Sequence, residues 1–293
     1  MNQSGSRRAL LMLEYLTDQP DGASLAEICA ALTLPKSIGH RLLALLMESG
    51  YVMQHSPSGR YGLTLKLTML GLRHYVCTGL DDLAQPVLDR LAAETGELAR
   101  LAVVEGERLV WVAKAQGARS GLRYDPDLDH DTGHDVVLHA TATGKAWLAT
   151  LPQAQAMRIV EATELHSTRR YGPNVATSLH AFAQMLEATR QAGFGVALDE
   201  GEPGTAAVAV AVVELTAARA AVATLSLAGP LSRFGPDRRS FFVARLQSAA
   251  QELGGIWSLR HHRAMVPVPT RAPIETARPQ LSTSHVRTHA PVL

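Results

Sequence analysis

A threonine-rich stretch, LHATATGKAWLA, carries the residue types best suited to holding a small anion. Thr141, Ala142 and Thr143 open a predicted helix, where hydroxyl groups and unpaired backbone amides meet the positive end of the helix dipole. Such a helix start is a natural anchor for a carboxylate. A simpler role stays open, because Thr141 or Thr143 could serve only to cap the helix.

Three other motifs suggest chemistry that their spacing does not support. In ATGK, His139 replaces the first glycine of a phosphate-binding loop, and Ala146 follows Lys145 where Ser or Thr is required. The run DPDLD has calcium-loop spacing, but His130 and Val136 stand at the glycine and glutamate positions. The sequence shows no GxSxG nucleophile elbow and no Ser-His-Asp constellation, so we predict no catalytic centre.

The aspartate- and histidine-rich segment around these motifs has two interpretations. His130, His134, Asp135 and His139 are possible ligands of a transition metal, which imidazole and carboxylate groups suit. We favour a polar lid over a ligand pocket, since residues 117 to 137 are rich in loop-forming residues. We therefore predict no metal and no cofactor.

A second set of polar side chains lies on one face of a predicted helix that begins at Pro35 and ends at Gly50. Along this helix, Ile38, Leu42, Leu45 and Leu46 form one stripe, which must be buried, and Ser37, His40, Arg41 and Ala44 form another. Small and hydrogen-bonding side chains near a helix N-terminus are typical of a recognition helix in a DNA major groove. We predict that Ser37, His40 and Arg41 face base edges.

The elements around this helix predict a winged helix-turn-helix over residues 1 to 63. Ser24 and Glu27 have capping-box spacing, and Pro35 suits the first turn of the next helix. Residues 57 to 59 turn a two-stranded hairpin. Some protein-interaction domains have the same geometry, and the charges of residues 1 to 63 cancel, so neither feature decides between protein and DNA as the partner. DNA is favoured because the cations are placed where phosphates would lie. The remaining predicted DNA contacts are Arg7, Arg8, Lys36, Arg60 and Tyr61.

The rest of the chain predicts a second domain joined by a helix. Residues 64 to 79 form a helix with leucines over much of its surface, which indicates a linker that packs against a second copy. Between residues 80 and 259 the order helix, hairpin, helices, three strands, helix predicts an α/β (α+β) domain with an antiparallel sheet covered by helices. Residues 260 to 293 are rich in Pro, Arg, His and Thr without periodicity, which predicts a disordered tail.

Length and composition limit the possible partners and compartments. With 293 residues the chain can form two domains, and a net charge of +1 requires any nucleic-acid contact to be local. The two cysteines, Cys29 and Cys77, lie in helical segments and are expected to be free thiols. We find neither a signal peptide nor a run of 18 apolar residues, so we predict a cytoplasmic protein without membrane contact.

Five segments, taken in order, resemble the IclR (isocitrate lyase regulator) family of bacterial transcription regulators over about residues 5 to 260. These are HRLLALLMESGYV, GRYGL, LHATATGKAWLA, GFGVALDEGEPG and LSLAGP. The resemblance implies a winged helix-turn-helix, a linker helix and a sensor domain similar to GAF and PAS domains. It also implies a homodimer or dimer of dimers on palindromic operator DNA, with a small carboxylate, an aromatic acid or a related catabolite as effector.

The resemblance further implies where the effector binds. The helix start carries over to Ala142 and Thr143, the acidic position to Asp199 and a serine position to Ser226. Alternatively, Asp199 caps the following turn, where the loop is about two residues short, and Ser226 bonds to neighbouring backbone. The family often has cysteine and serine where this chain has Ala207 and Ala228. The resulting pocket would have fewer donors and more room than a glyoxylate-like ligand needs, which favours an aromatic acid.

We therefore predict a ligand-responsive, DNA-binding transcription regulator of a catabolic operon. One alternative is a small-molecule-processing enzyme that its helix-turn-helix tethers to a partner. The other is an interaction scaffold that binds no ligand.

Overall fold

The computed structural model describes residues 5–78, 80–119, 121–126, 132–162, 171–214 and 220–257, with the side chains of 75–82 left undescribed. The tail predicted for residues 260–293 and the candidate ligand His130 lie outside these ranges. The described elements are α1 Gly5–Thr17, α2 Leu25–Ala31, α3 Lys36–Glu48, β1 Val52–Gln54, β2 Tyr61–Leu63, α4 Leu65–Thr78, α5 Leu80–Thr95, β3 Leu98–Glu105, β4 Arg108–Gln116, α6 Ala142–Leu148, α7 Gln153–Ala162, α8 Leu179–Ala192, β5 Gly195–Leu198, β6 Thr205–Val213, β7 Ala221–Pro230 and α9 Pro236–Trp257.

The first three helices and the β1–β2 hairpin form the predicted winged helix-turn-helix. The capping box of α2 is present, because the Ser24 amide donates to Glu27 Oε2 at 2.7 Å and the Glu27 amide donates to Ser24 Oγ at 3.3 Å. Pro35 precedes α3 as its N-cap residue, with ψ of 139°, rather than lying in its first turn. The hairpin pairs Val52 with Leu63.

The buried face of α3 differs from the predicted one by a rotation about the helix axis. Leu42, Leu43 and Leu46 are buried, whereas Leu45 is 52% exposed, so the prediction that Leu45 lies in the core is wrong. The reason is the close approach of α2 to α3 at Gly39, where a Cβ would overlap Cys29 Sγ. This contact turns the face of Gly39, Leu43 and Leu46 inward.

The second domain is a five-stranded antiparallel sheet with helices on both faces, which confirms the predicted fold class. Its strand order is β4-β3-β7-β6-β5. Alternate residues such as Leu101, Leu225 and Val208 point to a core that α5 and α9 complete with Leu88 and Phe242. The opposite face of β5, β6 and β7 packs on α6.

Helix α4 carries large apolar side chains that the described part of the chain does not cover. Leu65 is 74% exposed, Met69 60% and Leu72 57%. Contact with a second copy through this helix stays a prediction. The helices described contain no segment long and apolar enough to cross a bilayer. Cys29 is a buried free thiol, and the side chain of Cys77 falls outside the description.

The rotation of α3 gives a stability test. Leu43→Ala should lower the free energy of unfolding by about 2–5 kcal/mol, because it leaves a cavity at a fully buried site. Leu45→Ala should change it far less, since that side chain is half exposed. Urea denaturation followed by circular dichroism measures both, and equal losses would contradict this assignment of the buried face.

Candidate functional site

The outward face of α3 presents the residues predicted to read DNA. Ser37, His40, Arg41 and Ala44 are all exposed, and Lys36 is exposed at the helix start. The buried leucines on the other side hold this face in place against α1 and α2. In the preceding helix α1, Arg7 is exposed and Arg8 half-buried. The predicted base-facing stripe is therefore free of the domain core.

The wing differs from what the sequence predicts. Tyr61 is only 7% exposed and packs in the core of the helix-turn-helix, so its predicted contact with DNA is wrong. Arg60 donates from Nε and Nη2 to the Gly22 carbonyl and lies 3.1 Å from Glu27 Oε2. Its guanidinium fastens the wing to the start of α2. A phosphate contact by Arg60 stays a prediction. It would have to come from Nη1, because Nε and Nη2 already contact Gly22 and Glu27.

A cavity of about 60 Å³ lies in the second domain between α6 and the sheet. Thr141, Ala142 and Thr143 line it from the helix start, and Ala207 and Ser226 line it from β6 and β7. Because alternate strand residues share a face, Ala207 and Ala209 of β6 lie beside Ser226 and Ala228 of β7. The structure thus brings together five of the six predicted effector residues.

One hydroxyl inside the cavity lacks a partner in the described part of the chain, and an arginine lines the same cavity. Ser226 is 2% exposed, and its Oγ has no hydrogen-bond partner among the described residues. Arg100, paired with Ser226 across β3 and β7, stacks its guanidinium 3.4 Å from the centre of the Trp111 ring. A buried hydroxyl without a partner is costly, so this one is suited to a ligand.

Thr141, at the start of α6, both caps the helix and lines the cavity, whereas Thr143 only lines it. Thr141 Oγ1 accepts from the Gly144 amide at 3.0 Å and donates to the Val137 carbonyl at 2.8 Å, so it caps the helix while lining the cavity. Thr143 is buried at the cavity wall. Tyr124, from the segment predicted as a lid, also lines the cavity and donates to Glu202 Oε1.

The acidic residue of the cavity is Glu200, and the prediction that Asp199 fills this position is wrong. Asp199 adopts a left-handed backbone conformation with φ of +59°, and its Oδ1 accepts from the Gly204 amide at 2.5 Å. Asp199 therefore closes the short turn, which was the alternative open from the sequence. The next residue, Glu200, points inward and lines the cavity.

Glu200 forms a buried ion pair with Lys145 of α6. The Lys145 Nζ lies 2.8 Å from both carboxylate oxygens, and the two side chains are 2% and 6% exposed. The Leu198 amide donates to Glu200 Oε1 at 3.3 Å. Burial lowers the pKa of the Lys145 ammonium and raises the pKa of the Glu200 carboxyl, while the pairing opposes both shifts.

Sequence reasoning missed Glu200, Lys145 and Arg100 as site residues. A signal existed for Lys145, because α6 is buried at each of its seven positions and a buried ammonium requires an acidic partner. Arg100 had a similar signal, since it interrupts the apolar strand LARLAVV. Neither signal names the partner, which lies far away along the chain.

Two of the candidate metal ligands that the structure describes, Asp135 and His139, contact different residues. The Asp135 carboxylate lies 3.5 Å from the Arg108 guanidinium, and the His139 ring packs edge-on against Tyr171 with centroids 5.0 Å apart. Burial lowers the pKa of His139. Within the described ranges no three His, Cys, Asp or Glu side chains are grouped as a metal site would need.

Comparison with known proteins assigns both domains. The family model "IclR helix-turn-helix domain" matches residues 7–56, and "Bacterial transcriptional regulator IclR C-terminal" matches residues 76–254. The chain belongs to the IclR family. Its fold and this match confirm the resemblance that the sequence motifs indicated, and they make the chain a helix-turn-helix transcription regulator rather than an enzyme.

Individual relatives agree with the family assignment over most of the chain. The transcriptional regulator XynR of Escherichia coli is 29% identical over 248 residues, covering 84% of this chain and 94% of that protein. SauR of Cupriavidus necator, also described as a regulator, is 30% identical over 246 residues with the same coverage. An IclR homologue from Microbacterium hydrocarbonoxydans, solved with 4-hydroxybenzoate, superimposes with a TM-score of 0.70 at 22% identity, covering 86% of this chain and 98% of that one.

The buried ion pair gives a test of how this IclR-family domain is held together. Lys145→Met should lower the free energy of unfolding by about 3–5 kcal/mol, because it leaves the Glu200 charge buried without a partner. The double variant Lys145→Met with Glu200→Leu should recover most of that loss, since apolar side chains can replace a buried pair.

Thermal denaturation of the two variants measures this difference. Arg158→Ala provides a matched control, because it breaks the solvent-exposed pair with Glu107 and should leave the midpoint almost unchanged. If the double variant is as unstable as the single one, the pair is not what makes Lys145→Met costly.

Proposed function

We propose that this IclR-family regulator controls a catabolic operon and binds a small organic acid in the cavity beside α6. The observation that carries the proposal is the buried, unpartnered Ser226 Oγ in a cavity that Arg100, its register partner on β3, also lines. A carboxylate accepts hydrogen bonds from both a hydroxyl and a guanidinium, and the pairing with Arg is charge-assisted. Ala142 and Thr143, at the start of α6, line the same cavity.

The chemical class of the acid follows from the walls and the size of the cavity. Alanines at 140, 142, 197, 206, 207 and 228 make much of the lining apolar. Arg100 adds a cation to the lining that the sequence did not predict, so the argument that a pocket poor in polar groups favours a large effector does not hold. A volume of about 60 Å³ accommodates a short-chain acid directly, and an aromatic acid requires the cavity to widen.

The aromatic acid stays our first candidate for two reasons. The apolar walls favour a ring over a fully polar body, and an IclR homologue of the same fold was solved with 4-hydroxybenzoate. The proposal is tested by titrating the purified protein with 4-hydroxybenzoate and glyoxylate in a calorimeter. Tight binding of glyoxylate alone would contradict the aromatic assignment.

On the DNA side, we propose that α3 enters the major groove as one of two copies in a dimer. The exposed Ser37, His40 and Arg41 would face base edges, and Lys36 with Arg7 and Arg8 would contact phosphates. The exposed apolar side chains of α4 would be covered by the partner copy. The effector changes operator affinity only if it favours one dimer arrangement over another, with a coupling of about 1–3 kcal/mol.

The recognition helix can be tested by substituting its cations one at a time. Arg41→Ala should reduce the discrimination between bases at one position of the operator by about 1–3 kcal/mol, because a base contact is lost. Lys36→Ala should lower the affinity for all DNA sequences alike and reduce the salt dependence of binding. Mobility-shift titrations against fragments selected from random-sequence DNA measure both, and an unchanged preference in the Arg41 variant would argue against base contact.

The separation of the sensor from the DNA reader is tested in the cavity. Thr143→Ala with Ser226→Ala should abolish the response of operator binding to 4-hydroxybenzoate or glyoxylate, whichever binds, while basal DNA binding is kept. Ser232→Ala, an exposed serine outside the cavity, is the matched control and should respond normally. Loss of DNA binding with the fold intact would show that the two roles are not separate.

A further inference from the structure

The Lys145–Glu200 pair also borders a second concavity, a cleft of about 600 Å³. The cleft lies between α8, β5 and the first turn of α9, and Lys145 and Glu200 both line it. Met185 from α8 and Phe194, Val196 and Leu198 around β5 form an apolar wall. Glu200 is the one lining residue that the cleft shares with the first cavity, and none of the residues predicted from the sequence to bind the effector lines the cleft.

Arg239 lines the cleft and has no hydrogen-bond or ion-pair partner for its guanidinium among the described residues. Its Nε is buried without a partner, although the side chain as a whole is only partly covered. The neighbouring arginines of α9 are occupied, because Arg238 donates to the Thr95 carbonyl and Arg245 lies 3.5 Å from Glu94. A partly desolvated guanidinium without an anion is unfavourable, and a carboxylate in the cleft would satisfy it.

The other polar groups of the cleft are bonded within the protein. Asn174 Nδ2 donates to the Leu198 carbonyl, and Ser240 Oγ donates to the Pro236 carbonyl. Lys145 Nζ is held by both oxygens of Glu200. An anion that enters the cleft therefore finds its free donors at Arg239, while the Glu200 carboxylate repels it from the other charged part of the lining.

We propose that this cleft is a second ligand site, which binds a small amphipathic monocarboxylate. The carboxylate pairs with Arg239, and the alkyl or aromatic body lies on Met185, Phe194 and Leu198. The volume falls within the range of about 300–1,000 Å³ typical of small-molecule sites, and an apolar wall with one convergent charge is their usual composition. This site goes beyond the effector site proposed above and does not depend on it.

Calorimetric titration of the full-length protein with octanoate tests the proposal. Arg239→Gln should weaken octanoate binding about tenfold or more, because it removes a charge-assisted pair. Arg245→Gln is the matched control, since it removes the same charge from the same helix outside the cleft and should bind octanoate as the unsubstituted chain does. Ala188→Phe, at an exposed alanine of the cleft, should block binding sterically without disturbing the core.

Ala207→Leu separates the two sites, because it fills the first cavity and leaves the cleft open. Octanoate binding that survives Ala207→Leu and is lost in Arg239→Gln supports the second site, whatever the first cavity binds. Absence of octanoate binding, or binding equal in the Arg239 and Arg245 variants, overturns it. If Arg239→Gln instead changes the sedimentation coefficient and leaves octanoate affinity unchanged, the cleft is an interface between copies and the proposal is wrong.

Discussion

The buried ion pair between Lys145 and Glu200 is the interaction around which the sensor domain is arranged. It joins α6 to the turn after β5, and it borders both the small cavity and the larger cleft. A buried pair contributes little net stability, because desolvation of two charges offsets most of their attraction. The pair instead fixes geometry. Neither charge can stay buried without its partner, so α6 must stay packed against the turn after β5. Both concavities depend on that arrangement.

The two-residue period of the sheet gives the domain one face that packs in the core and one face that lines the cavity. Leu101, Leu225 and Val208 point to α5 and α9, and their neighbours Arg100, Ser226 and Ala207 point to the side of α6. Polar groups can therefore lie in the middle of strands that also build the main core. Small alanines on the other face leave the cavity open. The same strands thus supply both the core and the cavity wall.

The helix-turn-helix depends on a different constraint, the close packing of α2 on α3 at Gly39. The contact with Cys29 decides which side of α3 is buried and, as a result, which side is presented outward. Ser37, His40 and Arg41 lie on the outward side in consequence. The sequence predicts that Arg60 contacts DNA, because of its position at the hairpin tip. In the structure it donates to the Gly22 carbonyl and pairs with Glu27, which anchors the wing to α2. Anchoring the wing keeps it at a defined distance from α3.

Local chemistry by itself determined much of this protein. The capping box at Ser24, the β3–β4 hairpin, the helix opened by Thr141 and the polar stripe of α3 follow from neighbours within a few residues. Family motifs added the helix start and the strand positions that line the cavity. Only the tertiary structure decided that Glu200 rather than Asp199 faces the cavity, that Lys145 is its partner 55 residues away, and that Leu43 rather than Leu45 is buried. These outcomes depend on which surfaces meet when distant segments pack, and a charge or a stripe in the sequence specifies that a partner is needed without specifying which one.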